Sequence, residues 1–139
     1  MKPELLDVNV LLALAWPNHQ HHGAAHRWFE REGKKSWATC AVTELGFVRL
    51  SSNTAFTSDA VSPREAAELL RQLCAHPSHH FWESPPASKP EIYKSAMGHR
   101  QVMDAWLVEV ARHNRGRLAT LDRNLKAHDV GGNVVTLIS

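Results

Sequence analysis

Four acidic residues occupy positions where a carboxylate is costly or chemically useful. Asp7 interrupts the apolar stretch Leu5-Leu6-Asp7-Val8-Asn9-Val10-Leu11-Leu12, and Asp122 follows Leu118-Ala119-Thr120-Leu121. Both read as the carboxyl ends of short buried strands, where an unpaired carboxylate is expensive. Glu44 and Asp104 fall in the first turns of two helical segments, Ala41 to Leu50 and Val102 to Asn114. Each acid alone has a structural explanation: Asp before a helix caps it, and an acid in a first turn complements the helix dipole. Together they point to more. Strand ends and helix starts converge on one edge of a parallel sheet, and four carboxylates meeting there would resist joint ionisation. Divalent cations remove that difficulty, and an all-oxygen donor set favours Mg²⁺ or Mn²⁺ over Zn²⁺. Such a cluster is suited to metal-assisted phosphodiester hydrolysis.

The elements that must position these acids follow from the apolar pattern. Leu5 to Val8, Ser36 to Cys40, His80 to Glu83, Arg117 to Leu121 and Asn133 to Ile138 read as strands. Val10 to Trp16 begins a helix that Pro17 stops, and Gln20 to Gly33 is a second, with Gly33 closing it. Ser62-Pro63-Arg64-Glu65 has Ser at the N-cap, Pro at N1 and Glu at N3, so a helix runs from there to about Ala75. Asn53 to Val61 is a polar loop, Ser84 to Pro90 is Pro-rich, and a short helix runs from about Pro90 to Gly98. The helix from Val102 places Val102, Trp106, Leu107, Val110 and Ala111 on one face. Short apolar strands alternating with helices predict a parallel α/β sheet covered on both faces. Such sheets bind ligands beyond the carboxyl ends of their strands.

Four motifs in order carry a family resemblance. Leu5-Leu6-Asp7-Val8-Asn9-Val10-Leu11-Leu12, Val42-Thr43-Glu44-Leu45-Gly46-Phe47-Val48-Arg49-Leu50, His99-Arg100-Gln101-Val102-Met103-Asp104-Ala105-Trp106-Leu107 and Leu118-Ala119-Thr120-Leu121-Asp122-Arg123-Asn124-Leu125 together resemble a PIN-domain ribonuclease, and more narrowly the VapC toxins of bacterial toxin–antitoxin systems. The resemblance covers nearly the whole chain. It implies one PIN-like domain over residues 1–139, a three-layer α/β/α fold around a short, mostly parallel sheet. It also implies endoribonuclease activity with Mg²⁺ or Mn²⁺, a homodimer, and a VapB-type antitoxin that covers the acidic site. The family's acids fall on Asp7, Glu44, Asp104 and Asp122, with Asp7, Asp104 and Asp122 as metal ligands and Glu44 orienting or deprotonating the attacking water. Asn9 and Thr120 match polar positions beside the first and last acids. Arg49 and Arg100 either bind phosphate or hold a site carboxylate.

Composition fits this expectation and narrows the alternatives. The 139 residues are 43% apolar and 22% charged, the balance of a folded globular domain. The longest apolar run, Val10 to Trp16, is too short to cross a bilayer. The acid-interrupted start does not read as a signal peptide. Two cysteines make neither a disulfide framework nor a four-ligand zinc site, so a reducing, cytoplasmic setting is expected. With the four site acids set aside, the sixteen Lys and Arg outnumber the remaining ten acids by six. A mildly basic body around an acidic centre suits an RNA substrate that reaches the centre through cations.

Other residue clusters read as structural. Among the ten histidines, His22 and His26 share a helix face, and a solvated face is expected there in preference to a metal site. Cys40 and Cys74 are expected to be buried thiols. A dehalogenase-like phosphatase would need an acid where Asn9 stands, and a receiver domain would need a lysine after the last strand. The remaining rival is a PIN-like module that binds RNA or protein without cutting.

Overall fold

A computed structural model describes residues 2–139. Five parallel strands form the central sheet: β1 (Glu4–Leu6), β2 (Trp37–Cys40), β3 (His79–Trp82), β4 (Arg117–Thr120) and β5 (Val135–Leu137). Their order is β3-β2-β1-β4-β5. The central strand β1 pairs Leu5 with Ala38 on one side and with Leu118 on the other.

Alternation along the strands builds two cores. Leu6, Trp37 and Ala119 face one side, where they pack with α1 (Val8–Ala15), α2 (His22–Arg31), α3 (Ala41–Ser51) and α4 (Pro63–Cys74). Leu5, Ala38, Cys40, Leu118 and Val135 face the other side, against α5 (Val102–His113) and Leu125. The apolar, non-alternating look of the strands follows from this burial on both faces. The result is the three-layer α/β/α arrangement.

The chain winds outward from β1 to β2 and β3, then returns to β4 on the opposite side of β1. The reversal between β1 and β4 is the switch point at which such sheets open a crevice. Asp7 leaves β1 there and Asp122 follows β4.

Several boundaries differ from the sequence expectation for identifiable reasons. Val8 belongs to α1, because Asp7 caps that helix and ends the strand at Leu6. Gly33 opens a 3₁₀ turn, Gly33–Lys35, and serves close packing: a Cβ there would come within 2.6 Å of the Trp28 ring. Pro90–Tyr93 is a 3₁₀ turn, and a further one, Arg123–His128, follows Asp122 where no helix was expected. Val102 sits exposed at the start of α5, while Ala105 and Val108 join the buried face. The Ser62–Glu65 capping box forms as expected, with Ser62 Oγ accepting from the Glu65 N–H and Glu65 Oε1 accepting from the Ser62 N–H.

The paired histidines of α2, His26 exposed and His22 half-buried, also make contacts that the sequence did not indicate. His22 Nδ1 lies 2.7 Å from the Ala13 carbonyl and His26 Nε2 lies 2.9 Å from the Leu14 carbonyl. Both carbonyls belong to the last turn of α1, which has no intrahelical donors for them. The two imidazoles therefore satisfy the end of the helix whose start carries Asp7. No helix among the described residues is long and apolar enough to cross a membrane.

Candidate active site

Asp7 is 8% exposed and held at both carboxylate oxygens. Oδ1 accepts from the Val8 N–H at 2.7 Å, and Oδ2 accepts from the Thr120 hydroxyl at 2.7 Å. The first bond caps α1; the second ties β1 to β4 across the switch point. Thr120 is fully buried, and its oxygen in turn accepts from the Asp122 N–H at 3.0 Å. Asn9 completes the bridge: its Nδ2 donates to Thr120 Oγ1 at 3.4 Å, and its Oδ1 accepts from the Leu121 N–H at 3.2 Å. One polar network thus fixes Asp7, Asn9, Thr120 and Asp122 relative to one another. Asp122 also caps the turn after it, its Oδ1 accepting from the Asn124 N–H at 2.9 Å.

Asp104 enters from the first turn of α5 and is partly buried. Burial raises the proton affinity of Asp7 above the ordinary carboxylate range. The Thr120 and Val8 hydrogen bonds oppose that rise, while the charges of Asp104 and Asp122 add to it. Asp104 is raised by burial first and by Asp122 second, with His128 working the other way. The three aspartates therefore share one electrostatic environment. Ion pairs among the described residues are Lys34–Glu30, Lys35–Glu32, Arg71–Glu68 and Arg112–Glu109, and none involves these aspartates. Crowded carboxylates that make none of these ion pairs suit a divalent metal ion.

Glu44 takes its hydrogen bond from β2 and shares none with the three aspartates. Its carboxylate accepts from the Thr39 hydroxyl at 2.6 Å and lies 3.9 Å from the Cys74 sulfur. The reason is helix phase. Gly46 faces the start of α1 so closely that a Cβ there would fall 2.6 Å from Val8 Cγ2. Two residues are about 200° of helical rotation, so Glu44 is turned away from α1 toward β2, α4 and β3. Arg49 and Arg100 are exposed and make none of the ion pairs, so neither holds a site carboxylate.

The sequence and the fold have counterparts among known proteins. Residues 5–131 match the PIN domain family. The chain belongs to that family. It is 41% identical over 139 residues to Ribonuclease VapC39 of Mycobacterium tuberculosis, an alignment covering 96% of this chain and 98% of that one. It is 40% identical over 118 residues to Ribonuclease VapC38 of the same organism, covering 85% and 84%. Among solved structures, FitAB bound to an IR36 DNA fragment matches at TM-score 0.63 and 18% identity, over 96% of this chain and 94% of that one. PAE2754 from Pyrobaculum aerophilum matches at TM-score 0.60 and 23% identity, over 96% and 83%. These two structures share the PIN fold with this chain.

Two functional features escaped the sequence reading. The Asn9–Thr120 bridge joins residues 111 positions apart, and only the sheet order brings them together. His128, 5% exposed and hydrogen-bonded to Ser95 at 2.7 Å, acts on the charge of Asp104. Nothing in its local sequence marks it.

Proposed function

We propose that this PIN-domain chain is an endoribonuclease of the VapC kind, the toxin of a toxin–antitoxin pair. The observation that carries the proposal is the three-aspartate centre at the switch point, networked through Thr120 and making no ion pair among the described residues. The 41% identity to a named ribonuclease over 96% of the chain supports it.

Asp7, Asp104 and Asp122 would hold Mg²⁺ or Mn²⁺. Such an ion, when bound, polarises a scissile phosphate and lowers the pKa of a water. The protein's own contribution is positional. Thr120 keeps one Asp7 oxygen aimed and opposes its protonation, while the α1 N-terminus holds the other. Asn9 locks the loop from Leu121 to Asp122 against α1. The exposed Arg49 and Arg100 flank the edge as phosphate contacts, positioning RNA without reading its bases. Glu44, held by the Thr39 hydroxyl, would orient or deprotonate the attacking water.

The chain would act as a homodimer in the cytoplasm, silenced by a VapB-type antitoxin lying over the aspartates. Hydrolysis by water leaves a 5′-phosphate and a 3′-hydroxyl. The test is incubation of the purified chain with RNA and Mg²⁺ or Mn²⁺, followed by analysis of the ends. A 2′,3′-cyclic phosphate as the main product would replace this reading with one that uses the RNA 2′-hydroxyl.

A further inference from the structure

Where α3, α4 and β3 meet, three metal-ligating side chains of different chemistry come together. Glu44, Cys74 and His79 each offer one donor atom, and these atoms lie within 4.8 Å of one another. They come from three elements: the first turns of α3, the last residue of α4 and the first residue of β3. All three are partly buried. Thr39, fully buried on β2, stands behind them, donating to Glu44 Oε2 at 2.6 Å and lying 2.8 Å from His79 Nε2.

We propose that Glu44, Cys74 and His79 form a second cation site, selective for zinc and similar transition metals and distinct from the aspartate centre. The donor set argues for this class of metal. A carboxylate, a thiolate and an imidazole are ligands for zinc, whereas Mg²⁺ takes oxygen. The charges balance too: one carboxylate, one thiolate and a neutral imidazole cancel a divalent ion, which a half-buried position requires. When the sulfur–metal bond forms, the S–H bond breaks and the proton passes to solvent. Thr39 supplies the supporting contact that fixes ligand orientation.

The site has an open side. Glu44 and Cys74 line a cavity of about 570 Å³ between α3 and α4, walled by Leu45, Val48, Leu70 and Phe81. Three protein ligands with access to solvent leave a coordination position for water or an incoming group. A bound ion would join α3, α4 and β3, and so brace the helix that packs against α1 at Gly46 and Val8.

Titration of the metal-free full chain with Co²⁺ tests the proposal. One Co²⁺ per chain should produce a near-ultraviolet thiolate-to-cobalt band, removed by Zn²⁺ and untouched by excess Mg²⁺. The band should persist in Asp104→Asn and vanish in Cys74→Ser, and affinity should fall more than about tenfold in His79→Ala and Glu44→Gln. Zn²⁺ should also protect Cys74 of the unaltered chain from iodoacetamide, mapped by mass spectrometry, which needs no variant to fold. Absence of the band, its survival in Cys74→Ser, its loss in Asp104→Asn, or an alkylation rate at Cys74 unmoved by Zn²⁺ would each overturn the site.

Discussion

The Thr120 hydroxyl donates to Oδ2 of Asp7 across 113 residues of sequence, at 2.7 Å and out of contact with water. This bond connects the ends of β1 and β4 at the point where the sheet order reverses. It is also the strongest influence opposing the burial that pushes Asp7 toward its protonated form.

Thr120→Val should therefore act on both stability and titration. The change keeps shape but leaves a buried carboxylate oxygen without its donor, at a cost of about 1–3 kcal/mol. The sign with pH follows from linkage. The folded-state affinity of Asp7 for its proton is raised, so its ionisation weakens the fold as pH rises through that raised value, and the penalty is absent in acid, where both states are protonated. Removing the Thr120 bond raises the affinity further. Urea melts should show a deficit for the variant that grows from acid to neutral pH. A deficit independent of pH would show that the bond does not act on the Asp7 charge.

Asp104→Asn should be more stable than the unaltered protein in EDTA at neutral pH. The aspartate is raised by burial and by Asp122, and the amide removes that charge while keeping the shape. Water screens the half-exposed group, so a gain of only about 0.5 kcal/mol is expected. Excess Mg²⁺ should erase or reverse it, since only the intact acid gains from the ion. Equal urea midpoints in EDTA, unmoved by Mg²⁺, would mark Asp104 as a structural acid.

Much of this was legible from residue types. A mostly apolar, non-alternating segment such as Leu118-Ala119-Thr120-Leu121 signals burial on both faces, and that gives a parallel sheet and its ligand-binding edge. Asp7 and Asp122 could be placed there from chain position alone. Glu44 could not be aimed, because its direction depends on which side of α3 meets α1, and the contact of Gly46 with Val8 decides that. Nor could Cys74 and His79 be joined to it: they meet only because β3 pairs with β2 and α4 packs on α3. The His22 and His26 rings likewise find carbonyls supplied by a different helix.

Gly46→Ala tests that helix contact. The added methyl meets the stiff Val8 side chain and should cost about 1–3 kcal/mol. It should also weaken RNA cleavage, since Val8 directly follows Asp7. The Val8→Ala change should relieve part of the cost in the double variant, giving a coupling above about 0.5 kcal/mol. Additive losses in thermal melts would show that the two helices do not meet closely at this point.

His22→Ala with His26→Ala should destabilise the chain by about 1–3 kcal/mol in total, as two capping contacts are lost. Hydrogen exchange should speed in α1 more than in α5. Uniform acceleration across both helices would mean that the imidazoles do not hold the end of α1.

The most direct test of the account is RNA cleavage by Asp7→Asn and Asp104→Asn in Mg²⁺ or Mn²⁺, with circular dichroism confirming the fold. Asparagine caps α1 about as well as aspartate does, so both proteins should fold. Each should lose cleavage by about a hundredfold or more, the scale for removing one charged group from a preorganised site. Folded variants that cut RNA at the unaltered rate would contradict the aspartate centre as the site of catalysis.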